Sequence, residues 1–338
     1  MSPERTLIGV DIGGTKVAAA LLRGSLPAPG ARARAEVETP HVIDRFTMLT
    51  EVSSAEACLD GILRCIADLE HGAGPVEGIG VGVASMVDFA GGRVVESVNL
   101  PLVDVPLRER LEERFGVPVV IDNDATAAAI GEHTYGAGVG ASEMLMLTLG
   151  TGVGGGIISG GRPGRGSSGA AAEFGHIILD LNGPDCPANC PSNGCLEAYV
   201  AGPALGAAAV AAARLEPDSA LGRAYAAGRT VDSRLLTRLA QDGDVGAMAV
   251  LERAGEYLGA GLVTLTNIFD PEVIVIGGGA AAAGELLFSP ARRVLAARGL
   301  PPARDRVRVV AAALGADAGF IGAAALALTE LFPEDAPV

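Results

Sequence analysis

The chain has 338 residues, which is enough for two domains with sizeable buried cores. Hydrophobic residues make up 49% of it and aromatic residues only 4%, so we expect Ala, Val, Leu and Gly to provide most of the packing. The formal net charge of −15 argues against a nucleic-acid partner, because such a surface repels phosphate. We see neither a signal-peptide pattern nor an apolar run of membrane-spanning length, and therefore expect a soluble, cytoplasmic protein with no membrane partner.

Apolar runs in the first half of the chain predict strands that alternate with helices. Strands TLIGVDI (6–12) and KVAAALL (16–22) flank a Gly13-Gly14 turn, which predicts a hairpin. The further predicted elements are a helix over 54–69, a strand over 78–84, a helix over 106–116 and a strand over 117–123 that leads into the helix DATAAAIGEH.

The second half of the chain repeats this plan. The strand EMLMLTL (143–149), the glycine-rich segment 150–156 and a short strand from Ile157 predict a second hairpin. The later predicted elements are helices over 201–214 and 244–267, a strand ending in glycines over 273–279, a strand over 306–312 and a closing helix over 317–332. The alternation predicts an α/β protein, and the repeated hairpin suggests a duplicated architecture.

Glycine-rich turns follow predicted strands at 13–14, 150–156 and 277–279. Glycine lets backbone N–H groups approach phosphate oxygens, so these turns are candidates for a nucleotide site, although each alone could be a tight hairpin. DIGGTK is not a P-loop, because Val17 follows the lysine where Ser or Thr is needed. The G-x-G-x-x-G match at 150–155 precedes a strand rather than a helix, which argues against a dinucleotide-binding turn.

Two charged residues stand beside the first of these turns. Asp11 lies just before it, separated from it by Ile12, and is placed to reach Mg²⁺ through a water molecule. Lys16 follows it and is the only lysine of the chain. A compact ammonium group is not interchangeable with a planar guanidinium where space is tight, so Lys16 is a candidate phosphate contact, with chance survival as the alternative.

Several motifs together resemble the ROK family of bacterial sugar kinases and sugar-responsive repressors. They are DIGGTK, LGTGVGGGI, IGGG after a late strand, and a cysteine cluster followed by GCLEAY, and the resemblance runs from about Leu7 to about Leu331. It implies an actin-like, hexokinase-type (ribonuclease H-like) fold with two domains flanking a cleft. We expect residues 1–122 with 315–338 to form the smaller domain, and 123–314 to form the larger one with the zinc loop and the dimerisation helices.

The resemblance also assigns roles to individual residues. Asp124, in the N-D-A motif, is implied to be the base that accepts the proton of the sugar hydroxyl; that Asn123 or Asp124 simply caps the next helix is the structural alternative. The implied sugar-binding residues are Asn99, Asn123, Asp124, Glu173, His176 and Glu197. The implied nucleotide-binding residues are Asp11, Gly13, Gly14, Thr15, Lys16, Gly150, Thr151, Gly152, Gly277, Gly278 and Gly279. For Asn99, a turn position before Pro101 remains an alternative.

The cysteine cluster predicts a metal site. Cys186, Cys190 and Cys195, with His176, make a Cys₃His set that suits tetrahedral Zn²⁺; three free thiols and a packed histidine are the alternative. The family pattern C-x-C-G-x-x-G-C is widened here, since Cys186 lies two residues further upstream. Four protein ligands leave no open position, which indicates a structural zinc that holds the sugar-binding wall. One His176 nitrogen would bind zinc, and the other would face the sugar.

The resemblance implies an ATP- and Mg²⁺-dependent hexose kinase that phosphorylates the 6-hydroxyl of glucose. Ser85-Met86 stands where these kinases usually have Pro-Gly, so N-acetylglucosamine, N-acetylmannosamine, fructose and mannose stay open as substrates. A sugar-sensing regulator is a further alternative, but only six residues precede Leu7, where the repressors carry a helix-turn-helix. Polyphosphate as the donor would favour a basic track, for which Arg162 and Arg165 are candidates. Relatives of this kind suggest a homodimer or homotetramer.

Overall fold

The computed structural model of the chain describes residues 2–28, 30–69, 75–187 and 190–333. The strands are β1 (Arg5–Ile12), β2 (Lys16–Gly24), β3 (His41–Leu49), β4 (Gly78–Val83), β5 (Met86–Asp88), β6 (Arg93–Glu96), β7 (Val103–Val105), β8 (Val119–Asn123), β9 (Met144–Leu149), β10 (Val153–Ser159), β11 (Arg162–Pro163), β12 (Val273–Gly277) and β13 (Arg308–Ala311). The helices are α1 (Ala55–Ala67), α2 (Leu107–Phe115), α3 (Asp124–Tyr135), α4 (Glu197–Val200), α5 (Gly202–Leu215), α6 (Ala220–Ala226), α7 (Ser233–Gln241), α8 (Val245–Phe269), α9 (Glu285–Arg298), α10 (Ala303–Arg306) and α11 (Ala318–Leu331).

The first sheet has the strand order β3-β2-β1-β4-β8. β1 and β2 form the predicted antiparallel hairpin, whereas β4 runs parallel to β1, and β8 runs parallel to β4. Ile12 lies opposite Val83, and Val83 lies opposite Asn123, so the carboxyl ends of these three strands are level. This register places the residues after β1 and β8 at one edge of the sheet, which is where open α/β sheets present their ligand-binding residues.

Helix α11 covers this sheet at very close range. The backbone carbonyls of Phe320 and Ala323 occupy the positions where side chains of Gly9 and Gly80 would project. The helix contributes a run of buried small residues, from Gly322 to Ala325, to the contact. The scarcity of aromatic residues thus has a structural counterpart, because the helix and sheet approach each other through glycine and alanine.

The second five-stranded sheet has the order β11-β10-β9-β12-β13, with β12 parallel to β13. It also begins with a strand, a glycine-rich turn and a returning strand, so the predicted α/β class and its duplication are confirmed. The turn is shorter than predicted, because β10 begins at Val153 rather than at Ile157. Gly156 takes part in this strand, and a side chain there would collide with Ala129 of α3.

A small third sheet, with the order β5-β6-β7, follows β4 and was not predicted. By internal contacts the chain divides into two compact units: the first contains Met1–Met144, Gly156–Ala172 and Ala312–Val338, and the second contains Leu145–Gly155 and Glu173–Ala311. Relative to the predicted smaller domain, the first unit also takes in α3 and the segment 156–172. Within the described part of the chain, no helix combines the length and apolar character that crossing a membrane requires.

Candidate active site and metal centre

Asp11 lies near the end of β1, and the turn between β1 and β2 that follows it holds the first phosphate-binding candidates. The Gly13 N–H donates to the Lys16 carbonyl at 3.0 Å, and the Thr50 hydroxyl donates to the Gly13 carbonyl at 2.6 Å. Burial raises the pKa of Asp11 above its ordinary value, while the Lys16 ammonium acts in the opposite direction. A side chain at Gly319, at the start of α11, would collide with the Asp11 carboxylate, so this carboxylate is confined between the hairpin and α11.

Asn99 lies beside the same hairpin. A Cβ added to Gly14 would come within 2.8 Å of the Asn99 Cβ, so the segment after β6 packs directly on the glycine turn. Asn99 itself is exposed. The contact of Asn99 with the sugar stays a prediction, but the structure places this residue at the β1–β2 hairpin.

Asn123 and Asp124 form the junction between β8 and α3, at the edge to which Asp11 also belongs. The Asn123 side-chain oxygen accepts from the backbone N–H groups of Ala125 and Thr126, at 3.0 and 3.1 Å, and its amide nitrogen donates to the Ser85 carbonyl at 3.3 Å. Asn123 is therefore the N-cap of α3, and Asp124 is its first residue. Because the cap is Asn123, capping does not exclude the predicted catalytic role of Asp124, which stays a prediction.

In the second unit, the turns after β9 and β12 meet. The Gly150 N–H donates to the Gly152 carbonyl at 2.9 Å, and the Gly150 carbonyl accepts from Gly202 N–H, at the start of α5, at 2.8 Å. Gly278 has a φ of +86°, and a Cβ there would lie 2.5 Å from the Leu149 carbonyl oxygen. Only glycine allows the IGGG turn to lie this close to the end of β9.

A cavity of about 640 Å³ opens beside these two turns. The turns contribute Gly150, Thr151 and Gly279 to its wall, and the remaining lining comes mainly from α5 and the residues around the start of α7. The sequence did not predict the residues that α5 and the start of α7 contribute to the wall. They include Gly202, Pro203, Ala207, Asp232 and Arg234. The available signal was the Gly202-Pro203 pair, since proline is common in the first turn of a helix.

The three cysteines and the histidine of the predicted zinc site converge. One ligand atom from each of them lies within 4.8 Å of all the others. The Cys190 and Cys195 sulfurs are 3.8 Å apart, and the Cys186 sulfur is 3.6 Å from His176 Nδ1. Ligands bound to Zn²⁺ at about 2.3 Å in a tetrahedron stand about 3.8 Å apart, so the donor set fits a structural Zn²⁺.

Burial, followed by the neighbouring sulfurs, raises the pKa of Cys195 to about 12. A thiol in this environment becomes a thiolate at neutral pH only if a cation is bound to it. The widened spacing of the cysteines does not prevent their convergence, and the short distances between the four ligand atoms favour a metal over three separate thiols.

The predicted sugar residues of the second unit surround this cluster. His176 turns Nδ1 towards the cysteines, and its Nε2 lies 3.8 Å from the Glu173 carboxylate, whose side chain is 60% exposed. The Glu197 carboxylate is buried and accepts from the Val153 N–H at 2.6 Å, just after the Gly150 turn. The structure thus brings Glu173 and His176 together, and it places Glu197 between the cysteine cluster and the glycine-rich turn.

Two five-stranded sheets with glycine-rich hairpins, parallel neighbours and a carboxylate at a strand end define a protein of the actin-like, hexokinase-type fold. The model of the ROK family matches residues 7–330, and the chain belongs to this family.

Known proteins similar to this chain include bacterial glucokinases. The chain is 36% identical over 329 residues to a glucokinase of Streptomyces coelicolor, covering 95% of this chain and 96% of the relative. It is 33% identical over 324 residues to a glucokinase of Halalkalibacterium halodurans, covering 94% of each. A crystal structure of a ROK family glucokinase from Streptomyces griseus in complex with glucose and AMPPNP superposes with a TM-score of 0.81 at 36% identity, covering 95% of this chain and 98% of that one.

Proposed function

We propose that the protein is an ATP-dependent glucokinase, which transfers the terminal phosphoryl group of ATP to the 6-hydroxyl of glucose. The observation that carries the proposal is the position of Asp124, which directly follows β8 at the sheet edge where Asp11 and the phosphate hairpin lie. The glucokinase relatives at 33% and 36% identity, and the similarity to a structure that holds both glucose and AMPPNP, support it.

Phosphoryl transfer to a hydroxyl needs a base, a positioned donor and neutralisation of phosphate charge. In this proposal Asp124 accepts the hydroxyl proton, and Asn123 fixes the first turn of α3 from which that carboxylate projects. Asp11 would hold Mg²⁺, which would neutralise phosphate charge together with Lys16. Asn99, Glu173, His176 and Glu197 bind the hexose.

The nucleotide would occupy the cavity of about 640 Å³ in the second unit. The phosphate contacts that we infer are the backbone N–H groups of Gly13 to Thr15 in the first unit, and those of Gly150 to Gly152 and Gly277 to Gly279 in the second unit. Arg165, one candidate for a polyphosphate track, is already paired with Asp122 and Glu330, which favours ATP as the donor.

Zn²⁺ bound by His176, Cys186, Cys190 and Cys195 would be structural, because no coordination position is left for a reactant. Through His176 Nδ1 it would set the tautomer and orientation of the ring whose Nε2 lies near Glu173.

The proposal extends to the organisation of the protein. We infer two domains, 1–122 with 315–338 and 123–314, a cytoplasmic location, and a homodimer or homotetramer. The exposure of Ile268 (67%) and Phe269 (37%) at the end of α8 supports an interface on the larger domain. Light scattering coupled to gel filtration measures the oligomeric state directly.

A coupled assay with ATP·Mg²⁺ across a panel of glucose, mannose, fructose, N-acetylglucosamine and N-acetylmannosamine tests the function. We expect the highest kcat/KM for glucose. A higher value for another hexose would reassign the substrate within the kinase class, and no turnover with any hexose would refute the function. Polyphosphate replaces ATP in a second arm, in which we expect no turnover.

A further inference from the structure

Arg165 lies between two acidic residues that are far from it in sequence. Its Nε donates to Asp122 at 2.7 Å, and its Nη2 donates to Glu330 of α11, also at 2.7 Å. The side chain of Asp122 is only 5% exposed, and that of Arg165 is 18% exposed. The guanidinium also lies over the ring of Phe89, 3.6 Å from its centroid. The planar guanidinium therefore makes contacts in three directions, which a lysine could not reproduce.

Each partner of the Arg165–Asp122 pair also holds a piece of backbone. The second oxygen of Asp122 accepts from the Asn123 N–H at 2.9 Å, directly before Asp124. The carbonyl of Arg165 accepts from the Ala171 N–H at 3.2 Å, which closes the loop 165–171 that leads to Glu173. The ion pair thus joins the last residues of β8 to the base of this loop.

The same loop also contacts β5. Gly169 has a φ of +79°, and a side chain there would collide with the Val87 carbonyl. Two residues upstream, the Ser85 carbonyl accepts from the Asn123 amide nitrogen at 3.3 Å. The end of β8, the strand β5 and the loop 165–171 therefore form a closed set of contacts, with Arg165 at its centre.

We propose that Arg165 is a positioning residue for phosphoryl transfer, whose ion pair with Asp122 fixes the Asn123–Asp124 junction relative to the loop that leads to Glu173. This inference rests on the proposed function. A charge pair as buried as this one is costly to break, because removal of the cation leaves a desolvated carboxylate. The pair therefore holds its geometry more firmly than a surface pair, and phosphoryl transfer is sensitive to displacements of about 1 Å.

The first test is the variant Arg165→Met, measured by steady-state kinetics and by calorimetric titration with glucose. We expect kcat to fall and the KM for glucose to rise, each by about tenfold or more, because Asp124 and the loop 165–171 lose the ion pair that holds both of them in position. The KM for ATP should stay within about twofold of the wild-type value, since none of the residues that contact Arg165 lines the cavity proposed for the nucleotide. Arg165→Lys keeps the positive charge but not the planar guanidinium, so its kcat and its KM for glucose should lie between those of the wild type and of Arg165→Met.

The pH dependence gives a readout that a merely structural role would not move. Burial raises the pKa of Asp122, Arg165 lowers it and Glu330 raises it. Without Arg165 the carboxyl should bind a proton at higher pH, so the acid limb of kcat/KM should move upward in Arg165→Met. The double variant Asp122→Asn/Arg165→Met has no carboxyl to titrate there, and its acid limb should return towards that of the wild type.

Arg162→Met is the matched control, because Arg162 is an exposed arginine three residues away in the same segment, and it should behave as wild type. Wild-type kinetics and glucose affinity in Arg165→Met, with only a lower melting temperature, would overturn the proposal. If Arg165→Met does not fold, Arg165→Lys and Asp122→Asn decide, and unaltered kinetics in both would overturn it. An inactive wild type would instead refute the proposed function, which separates the two failures.

Discussion

The β8–α3 junction and the zinc loop (residues 176–195) both carry residues assigned to the sugar, but they are built in opposite ways. The junction is continuous regular structure, a parallel strand that passes into a helix capped by Asn123. The described residues of the zinc loop form no strand or α-helix, and turns, short backbone contacts and the isolated bridges of Ile178 with Cys195 and Asp185 with Asn193 surround the cluster of ligands. The backbone itself determines the first region, whereas the second depends on side chains that converge on a metal.

This difference separates the roles of the two regions. The Asp124 side chain can be removed for its chemistry alone, because the Asn123 cap and the strand pairing remain. A ligand in the zinc loop cannot, because the four ligand side chains meet at one point and each helps to hold the others in place. Variants in the two regions should therefore differ in how far activity and stability change together.

The largest effect is expected for Asp124→Ala. Loss of a general base costs on the order of 10²–10⁴ in kcat, while the Asn123 cap should keep the melting temperature close to that of the wild type. Steady-state kinetics and thermal unfolding measure the two quantities. A variant that keeps most of its activity would show that Asp124 is not the base.

Loss of a zinc ligand should rank second. Cys195→Ser removes a fully buried ligand, so the zinc content should fall well below about one equivalent per chain. Activity should fall by on the order of 10- to 100-fold, because Glu173 and His176 lose their support. Plasma mass spectrometry and kinetics measure both.

Cys58→Ala is the matched control for this variant, since Cys58 is a buried thiol of α1 that lies outside the cluster. It should keep its zinc and most of its activity. An active wild-type protein that contains no zinc would contradict the assignment of a structural metal.

The helix that follows the β8–α3 junction is held by a buried carboxylate rather than by a metal. Glu132, near the end of α3, is fully buried, and its carboxylate accepts from the N–H groups of Ala137, Ala313 and Leu314 at 2.7 to 3.0 Å. In Glu132→Gln an amide N–H₂ replaces one of these acceptors and faces a donor. We expect a loss of about 1–3 kcal/mol in the free energy of unfolding.

Chemical denaturation measures this loss. Glu113→Gln, at an exposed position of α2, should change the free energy of unfolding by less than about 0.5 kcal/mol. If the two variants were equally stable, the buried carboxylate would not be what ties α3 to the segment before α11.

The sequence predicted the features that depend on local pattern. The apolar runs and glycines gave both hairpins, and the Asn123-Asp124 pair before ATAAA gave the helix start, since strand period and capping are local properties. The cysteine cluster was predicted from its chemistry, because three thiols and an imidazole in 20 residues have few other uses.

The features that the sequence did not predict depend on contacts between distant segments. Arg165 and Asp122 are 43 residues apart, and neither is part of a motif. The strands of the third sheet have three or four residues each, too few for a clear alternation. The cavity that we propose for the nucleotide is lined by α5 and the start of α7, which only the packing of the second unit brings together.

The smallest effect is expected at Ala172, directly before Glu173. Its φ is +68°, in the left-handed region, which costs a non-glycine residue about 1–2 kcal/mol. Glycine has no such cost but loses more entropy on folding, about 0.4–1 kcal/mol. The difference favours Ala172→Gly by roughly 0.5–1 kcal/mol, seen as a higher denaturation midpoint. In Ala171→Gly, where φ is not positive, only the entropic loss remains and the midpoint should fall. Two falling midpoints would show that the strain at Ala172 is offset by contacts of its methyl group, and that the loop before Glu173, like the zinc loop, depends on side chains.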